Sequence, residues 1–388
     1  MQKLSIEQLL ELENRDRLWD YTLFEYPLWI HCREPLLESA IMAERKIPKF
    51  QVAVMFKSSI QTMKFLFSQK KYDNVYFLME RAELLEIYRQ DKSLKKLLFL
   101  NPEQEKVYKG NDYINSNFFS MFRFISRKIA FLLFWKKYRE VSIAFSNSVD
   151  SKNLIPYIKV ALGDALFLKF LSLILNKNSK KFYTGAVIPM GEKFINLLNS
   201  YEVQHGVIHP SHIGYIGLPE VKNSLILYSE RYKNILKENN YVGSLIVKDY
   251  KKIFFEKKVN RNFFIVIYTQ PDEKMQLDID KFFKKYNPND VFIQRHPKDY
   301  YDYSIESKYF VNATTPFEVK YPIFFTSSVM ENFTTYNKTC YIYDLKYPNL
   351  NLIDFLDIFT IGSESEVIIM KSLNDIYIDI KENKKWKK

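Results

Sequence analysis

The stretch NFFIVIYT at Asn262–Thr269 is the strongest β-strand signal in the chain. Working outward from it, SLILY at Ser224–Tyr228 and the segment Asp290–Gln294 have the same apolar, β-rich character. Helical patterns lie between these segments, at Glu230–Glu238 and Leu277–Tyr286. Strands that alternate with helices at this spacing predict βαβ units and a parallel sheet, hence an α/β protein.

The same reading assigns further elements on both sides of this region. Toward the C-terminus it predicts strands at Gly243–Val247, Pro322–Phe325 and Thr339–Tyr343, a helix after Ser327, and helices from there to the end. Toward the N-terminus the patterns are more mixed. They predict helices at Ile6–Asp20 and Asp164–Leu175 and strands at Asn74–Met79, Val141–Phe145 and Phe182–Ile188.

The length of 388 residues suits two domains of ordinary size. A segment punctuated by Pro and Gly, Gly206–Pro219, predicts a boundary near residue 220, which gives domains 1–220 and 221–388. Two α/β layers in one chain place the active site in the cleft between them, at the carboxyl ends of the strands.

Composition excludes several common kinds of site. The chain has nine glycines and contains neither GxGxxG nor GxxxxGK[ST], which excludes the usual dinucleotide and P-loop sequences. Its two cysteines, Cys32 and Cys340, are far apart in sequence. This excludes a disulfide framework and a CxxC metal site, and it fits a reducing compartment.

The formal net charge of +12 comes from lysines spread along the whole chain. No nucleic-acid-binding module is recognisable, so we expect a solvated surface and no nucleic-acid partner. The most apolar stretch, Leu154–Leu175, is interrupted by charged residues, and Met1–Glu13 lacks the apolar core of a signal peptide. We therefore expect a cytoplasmic protein, or one that lies on a membrane without crossing it.

Three of the five histidines fall within eight residues, at His205, His209 and His212. A zinc site is one interpretation, but Gly206 and Pro210 would break the helix that normally presents such ligands, and we expect no metal. Loop histidines bonded to the backbone are a second. The third is acid–base chemistry beside a phosphate, which imidazole suits because its pKa lies near neutrality.

His296 follows a predicted strand within Arg295-His296-Pro297. Proline restricts the backbone before it and holds the imidazole at the carboxyl edge of the sheet, where it can donate a hydrogen bond to a phosphate. Arg295 adds positive charge, although strand alternation would point it to the opposite face. A turn proline beside a surface histidine is the plainer alternative.

A third element is the end of an apolar strand in hydroxyl residues, Thr326-Ser327-Ser328. Ser327 is a candidate N-cap of a helix. The free N–H groups of a helix N-terminus, together with two hydroxyls, suit a nucleotide phosphate. Glu331, one turn further on, could bind the two hydroxyls of a ribose. The alternative is a plain serine cap with a glutamate that favours the helix dipole.

In this order, Gln204-His205-Gly206, Arg295-His296-Pro297 and Ser327-Ser328 resemble the bacterial glycosyltransferases of two-domain GT-B fold that build surface polysaccharides. His-Pro followed by Ser-Ser is shared by sialyltransferases, Kdo transferases and CDP-glycerol-type teichoic acid polymerases. The polymerases have a His-Gly pair at the position of His205. The sialyltransferases have an Asp before Gly there, so this chain departs from the sialyltransferase pattern.

The resemblance covers about residues 200–335 and implies two Rossmann-like domains facing a central cleft. The first would bind the acceptor and the second the nucleotide donor. It implies a metal-independent transfer, with no cofactor, from a nucleotide-sugar donor, preferably a CMP-sugar, to a glycan or glycolipid acceptor. The implied roles are catalytic for His205 and His296, nucleotide-binding for Arg295, Pro297, Ser327, Ser328 and Glu331, and acceptor-side for Gln204, Gly206, His209 and His212.

Two other functions stay open. A CDP-glycerol-type glycerophosphotransferase would use the same motifs but form a phosphodiester, and a non-catalytic glycan- or lipid-binding protein would keep only the fold. Glu192, Glu202 and Asp249 are rival bases to His205. The acidic pair in Asp278-Ile279-Asp280 falls in a predicted helix, and we interpret it as surface.

An anionic membrane surface is a further candidate partner. Arg127–Lys137 combines aromatic residues and leucines with flanking basic residues, and the tail Lys384–Lys388 combines lysines with Trp386. For Ile129–Trp135 a buried core helix is the competing interpretation, and the sequence slightly favours it. For the tail the competing interpretation is a solvated, disordered end.

Overall fold

The computed structural model divides the chain into two compact units, Met1–Lys251 and Lys252–Lys388. The described residues are 4–37, 71–77, 82–100, 108, 112–149, 154–185, 200–204, 208, 212–248, 263–269, 272–296, 299–311, 318–324, 339–343 and 366–385.

The first unit is built around a parallel sheet of seven described strands, in the order β5-β4-β3-β6-β7-β8-β9. A two-stranded antiparallel hairpin and a short 3-10 turn, Leu18–Asp20, precede the sheet. The strands are β1 Thr22–Leu23, β2 Tyr26–Pro27, β3 Tyr72–Phe77, β4 Lys96–Leu100, β5 Asp112–Asn115, β6 Ser179–Gly185, β7 Ser200–Val203, β8 Ser224–Leu227 and β9 Ser244–Val247. The helices are α1 Ile6–Arg15, α2 Ile30–Leu36, α3 Ala82–Gln90, α4 Ser116–Leu133, α5 Trp135–Ser148, α6 Ile155–Asn178 and α7 Glu230–Glu238.

The second unit contains a parallel sheet of six described strands, in the order β12-β11-β10-β13-β14-β15. A 3-10 turn, Ser307–Tyr309, leads into β12. The strands are β10 Phe263–Tyr268, β11 Val291–Gln294, β12 Phe310–Val311, β13 Val319–Phe324, β14 Thr339–Tyr343 and β15 Glu366–Met370. The helices are α8 Glu273–Tyr286 and α9 Leu373–Lys385.

Both sheets have the same winding. In each, the first three large strands are added in one direction and the fourth is placed on the other side of the first, which is the order 3-2-1-4-5-6 of a Rossmann-like sheet. The first sheet adds a seventh strand, β9, at its edge. The direction in which strands are added reverses between β3 and β6 in the first unit and between β10 and β13 in the second, although the paired strands are parallel. The predicted α/β class, with two Rossmann-like sheets, is confirmed.

The burial of the central strand β10 explains why its sequence signal is so strong. Its residues Ile265–Tyr268 are all buried, so both faces of the strand are covered, as is usual for parallel sheets. On one face, Ile265 and Ile267 pack into a core with Ile279 of α8 and Ile376 of α9. A strand covered on both faces cannot alternate between apolar and polar residues, so its apolar run is continuous.

Helices α4 and α6 of the first unit pack against each other at a buried charge cluster. Asp164, which is fully buried on α6, accepts hydrogen bonds from Arg123 and Arg127 of α4 and lies 3.2 Å from His31 Nε2. Burial alone would raise the pKa of Asp164, but Arg123 and then His31 outweigh that effect and hold it well below its ordinary value. The carboxylate therefore stays charged, which fixes one helix face against the other.

The predicted domain boundary near residue 220 is corrected by the strand pairing. Strand β8 pairs with β7, and β9 pairs with β8, so both extend the first sheet and the first unit continues to Lys251. The Pro/Gly punctuation at Gly206–Pro219 marks the connection between two strands of one sheet, and the local composition of such a loop resembles that of a linker.

Four other predictions about the elements differ from the structure. Val141–Phe145 is part of helix α5, not a strand. Ile129–Trp135 is not a buried core helix, because most of its apolar side chains are exposed. Strand β15 lies where only helices were expected. Asp280 was predicted at the surface but is buried, and its carboxylate accepts hydrogen bonds from the Ser304 N–H and the Tyr301 hydroxyl.

Candidate active site

The carboxyl edge of the second sheet is the natural place for a ligand in this fold. In open parallel sheets, ligands bind at the carboxyl ends of the strands, at the point where the strand order reverses. That point lies between β10, which ends at Tyr268, and β13, which ends at Phe324. Thr269 directly follows β10 at this edge, and His296 follows the end of β11 by two residues.

The backbone of His296 is fixed on both sides. Its N–H donates to Thr269 Oγ1 at 3.0 Å, and its carbonyl accepts from the Asp299 N–H at 2.8 Å. The Thr269 N–H in turn donates to the carbonyl of Gln294 at 3.0 Å, which continues the ladder between β10 and β11. His296 itself is only partly buried. The backbone of His296 is therefore fixed at the carboxyl edge of the sheet, where the sequence predicted this residue.

Asp299 is the centre of the polar network behind His296. Its carboxylate is almost fully buried and accepts hydrogen bonds from the hydroxyls of Thr269 and Tyr303, from the Gln276 side chain at 2.7 Å and from the Tyr301 N–H at 3.2 Å. Burial, and then the contact with Asp299, raises the pKa of the Tyr303 phenol, so that Tyr303 remains a donor. The network joins both strand ends to α8.

Sequence reasoning missed this network. Thr269 was predicted only as the last residue of a strand, and Asp299 was not singled out although it follows the His-Pro pair by two residues. The usable signal is a hydroxyl residue at the end of the strongest strand, together with an acid beside a candidate site histidine. Neither residue type is distinctive alone, since threonine and aspartate are common at strand ends and in turns.

Arg295 is engaged within the protein. Its guanidinium donates to the carbonyl of Tyr301 and lies over the rings of Tyr303 and Phe310, with its Cζ atom 5.0 and 5.3 Å from the ring centroids. Cation–π contacts of this kind hold the segment after β11 against the sheet. The phosphate contact predicted for Arg295 stays a prediction.

In the first unit, Gln204 continues strand β7 by one residue. Its N–H donates to the carbonyl of Ile226 at 2.8 Å, and its side-chain oxygen accepts from the Tyr228 N–H at 3.4 Å. The side chain is fully buried. Gln204 thus fixes the strand end from which His205 follows.

Glu202, one of the rival bases, is also fully buried on β7. Its carboxylate accepts hydrogen bonds from the Tyr215 hydroxyl at 3.2 Å and from the Asn223 side chain at 3.4 Å. A carboxylate enclosed in this way does not reach an acceptor at the edge of the sheet. Its role is to fasten the segment that carries Tyr215 onto the sheet.

His212 lies in the segment that returns from the histidine cluster. Its Nδ1 accepts a hydrogen bond from the Gly214 N–H at 3.3 Å, and its ring lies 4.7 Å from that of Tyr215. An Nδ1 that accepts must be unprotonated, so in this geometry the imidazole carries its proton on Nε2. The acceptor-side role of His212 stays a prediction.

A buried ion pair holds the segment immediately after His212. Arg33 donates to Glu13 at 2.6 Å and to the carbonyls of Ile213 and Ile216 at 2.8 and 3.1 Å, and both charged side chains are 2% exposed. Trp29 donates to the same carboxylate at 2.7 Å. Sequence reasoning did not connect residues so far apart. Helices α1 and α2 therefore support the return segment of the histidine loop.

Several predicted site residues lie outside the described residues. In the first unit these are His205, Gly206 and His209, and in the second they are Pro297, Ser327, Ser328 and Glu331. The roles assigned to them stay predictions from the sequence. Gln204 is the last described residue before His205, and Phe324 is the last described residue before Ser327.

Two further features bear on what the described residues can bind. Within the described parts of the chain, no group of three or more His, Cys, Asp or Glu side chains is arranged to hold a metal ion. A cavity of about 190 Å³ in the second unit is lined by α8, Tyr343 and the start of α9. None of its lining residues belongs to β10, β11 or β13.

Comparison with known proteins gives structural likenesses alone. No protein-family model matches the chain, and no curated protein matches it in sequence. The wall teichoic acid polymerase TagF is similar in structure, with 10% sequence identity, a TM-score of 0.45, and coverage of 86% of this chain and 89% of TagF. A TagF variant soaked with CDPG has 11% identity and a TM-score of 0.43, covering 86% of this chain and 99% of that one. Because these scores are below 0.5, the fold assignment above rests on strand order and pairing.

Proposed function

We propose that the chain is a transferase of GT-B type that extends a bacterial surface polymer from a cytidine-nucleotide donor. The observation that carries the proposal is the reversal of strand order in the second sheet, with Thr269 and His296 at the carboxyl edge beside it. This edge is where a Rossmann-like sheet binds a nucleotide. The acceptor would bind to the first unit, near the end of β7.

The proposed chemistry uses groups from both units. His205 takes the proton of the acceptor hydroxyl as its oxygen attacks the donor. His296, the hydroxyls of Ser327 and Ser328 and the helix N-terminus predicted there offset the charge that develops on the leaving nucleotide. Losing one such donor costs about 2.7–4 kcal/mol of transition-state stabilisation. No metal or cofactor is part of this mechanism.

The donor we favour is a cytidine diphosphate whose second phosphate is esterified to an alcohol such as glycerol. The His205-Gly206 pair supports this choice, because it resembles the teichoic acid polymerase motif, whereas sialyltransferases have an aspartate at that position. In this reaction the acceptor oxygen attacks the phosphorus next to the alcohol, the bond between the two phosphates breaks, and CMP leaves. A CMP-sugar is the second candidate, since His296 and the Ser327-Ser328 pair suit either donor.

We also propose that the reaction takes place at the inner face of the plasma membrane, where a glycolipid acceptor would be anchored. Among the described residues, no helix is both long enough and apolar enough to cross a membrane. The exposed apolar residues of α4 and α5 support attachment to a surface.

The binding test is a thermal-shift and calorimetric series with CMP, CDP, UDP and GDP. A ligand that binds only the folded state raises the melting temperature, so the nucleotide that stabilises the protein identifies the base. We expect stabilisation by the cytidine nucleotides, which His296→Ala and Ser328→Ala should weaken. Unchanged affinity for CMP and CDP in both variants would contradict the assignment of the site.

The turnover test separates the candidate reactions. A product that gains phosphorus identifies a glycerophosphotransferase, and one that gains a sugar without phosphorus identifies a glycosyltransferase. His205→Ala should lower turnover while leaving donor binding largely intact. Binding of glycan or lipid with no turnover on any activated donor would favour a non-catalytic protein.

A further inference from the structure

Helices α4 and α5 expose a continuous set of apolar side chains. On α4, Ile125, Ile129 and Leu132 follow one another at helical spacing and are 39%, 43% and 74% exposed. Leu133 and Trp135, at the junction of the two helices, are 66% and 51% exposed. We call these five residues the junction face. Single exposed apolar residues are common on proteins, but five on adjacent turns form a patch.

The opposite side of α4 packs against the rest of the first unit. Ser126 and Ala130 are buried, and Arg123 and Arg127 bind the buried carboxylate of Asp164 on α6. The helix therefore has one packed face, and the exposed apolar residues of the junction face lie on its other side. An apolar face of this size needs an occupant, because water is a poor environment for it.

The charges around the junction face are of one sign. Residues 116–139 contain six Lys and Arg residues and no Asp or Glu. Lys128, Lys136 and Arg139 are exposed. The nearest acid in sequence, Glu140, is paired with Lys137 at 2.9 Å. Lys128, Lys136 and Arg139 therefore border the apolar residues, and the one acid in the sequence of these two helices, Glu140, already pairs with Lys137.

Trp135 is held at this junction by other aromatic residues. Its ring lies 5.1 Å from that of Phe131 and 5.3 Å from that of Tyr138, and Lys159 Nζ lies 4.4 Å from the Phe131 ring. A half-exposed tryptophan beside lysines is typical of the boundary between lipid headgroups and acyl chains.

We propose that the junction face docks on an anionic phospholipid surface. Apolar side chains would enter the headgroup boundary, and Lys128, Lys136 and Arg139 would contact lipid phosphates. A second copy of the chain fits less well, because a two-fold contact places the same cations opposite one another. The proposal extends the location given under the proposed function to a particular surface. Its test uses neither nucleotide nor acceptor, so failure of membrane docking is distinguishable from failure of the proposed transferase function.

The experiment is co-sedimentation of the full chain with vesicles of phosphatidylcholine, with and without phosphatidylglycerol. We expect binding to the anionic vesicles, weaker at high salt because surface charges are screened. Leu132→Asp should lower the partition coefficient at least about tenfold, since it places a charge in the apolar part of the face. The matched control is Leu94→Asp, because Leu94 is 97% exposed in the same unit but lies outside the junction face. A melting temperature equal to that of the unmodified protein shows that each variant is folded.

Two further measurements address the charges and the tryptophan. Lys136→Gln should weaken binding to anionic vesicles about fivefold and leave the low binding to neutral vesicles unchanged. A blue shift of tryptophan emission on vesicle addition should be lost in Trp135→Phe. Retention of the full shift in that variant would contradict insertion of this residue.

Three results would overturn the proposal as a whole. The first is equal binding to neutral and anionic vesicles. The second is equal binding of Leu132→Asp and Leu94→Asp. The third is a dimer in light scattering that Leu132→Asp dissociates, because the face would then be an interface between two copies.

Discussion

At the scale of single residues, the hydroxyl of Thr269 joins two strand ends of the second sheet. It accepts the N–H of His296 and donates to Asp299, so one atom connects the end of β10 to the turn after β11. A buried hydroxyl that both donates and accepts cannot be replaced by an apolar group of the same shape without leaving two partners unsatisfied.

We therefore expect Thr269→Val to lower the free energy of unfolding by about 1–3 kcal/mol. It should also weaken cytidine nucleotide binding about ten- to a hundredfold, because a small displacement of His296 would weaken its contact with the nucleotide phosphate. Urea unfolding and calorimetry measure the two effects. Thr269→Ser, which keeps the hydroxyl, should restore binding.

The control for this substitution is Thr339→Val. Thr339 begins β14 and so lies at the amino edge of the same sheet, opposite the proposed site. If both valine variants weaken nucleotide binding equally, the effect comes from general destabilisation and Thr269 has no positioning role.

Asp91 shows how buried hydrogen bonds determine the charge state of a single group. Burial alone would raise its pKa, but hydrogen bonds from Asn74, Tyr76 and Ser93 outweigh that effect and lower it to about 2. A carboxylate whose pKa is lower in the folded than in the unfolded state stabilises the fold above the unfolded pKa. The stabilisation is lost as the pH falls toward the folded pKa.

For Asp91→Asn we expect a loss of about 2 kcal/mol in the free energy of unfolding at neutral pH. The difference from the unmodified protein should narrow as the pH falls from about 4 toward 2, since Asp91 then becomes protonated in both states. Urea unfolding at several pH values measures this. Asp20→Asn is the control, because the Asp20 side chain is 56% exposed. A difference that does not change with pH would contradict the explanation.

At the scale of elements, Gly163 determines how closely α4 and α6 approach. A Cβ atom built at this position would lie 2.3 Å from Arg127 Cγ and 2.4 Å from Arg127 Cα. The second of these is a backbone atom, so rotating a side chain cannot relieve the overlap. Glycine costs helix propensity in α6, and the close packing that carries the Arg123–Asp164 contact offsets this cost.

Gly163→Ala should therefore destabilise the protein, although alanine favours a helix. We expect a loss of about 1–3 kcal/mol from overpacking, which lowers the melting temperature by about 2–4 °C per kcal/mol. The comparison is Asn147→Ala, a substitution toward alanine at an exposed position of α5. If Gly163→Ala is as stable as Asn147→Ala, the helices can move apart at little cost.

The element scale also shows what sequence patterns can determine. Four strands of the second unit, β10, β11, β13 and β14, could be predicted because buried strands are short apolar runs between turn signals, as at Phe263–Tyr268. The segment Val141–Phe145 has the same appearance in isolation, but it completes a helix that begins at Trp135. A run of five residues does not distinguish the two, because its periodicity is too short to measure.

Burial of a helix is harder to predict than its existence. Ile129–Trp135 is apolar enough for a core, and the sequence alone favoured that interpretation. The structure exposes most of it because the buried positions of α4, such as Ser126 and Ala130, lie on the side that faces α6. Which face of an apolar helix is covered depends on its tertiary neighbours. Pairs such as Glu13 and Arg33 are unpredictable for the same reason.

At the scale of the whole molecule, the sheet order carries more information than the local sequence. The two βαβ-rich regions and the position of His296 after a strand could be predicted from local patterns. The extent of the first unit could not, because membership of a sheet is decided by pairing between strands. Strand β8 pairs with β7 and β9 pairs with β8, and the Pro/Gly-rich loop before them gives no indication of this.

This difference leads to a prediction about fragments of the chain. The fragment 1–251 should fold alone, with a cooperative melting transition, since it contains all seven described strands of the first sheet and the core around them. The fragment 1–220 lacks β8, β9 and α7. It leaves β7 as an exposed edge and removes Asn223, a donor to the buried Glu202. We expect this shorter fragment to aggregate, because an unpaired apolar edge strand promotes association between chains. Size-exclusion chromatography and circular dichroism of the two fragments measure the difference. A monomeric, cooperatively folded 1–220 fragment would show that the sheet is complete without its last two strands.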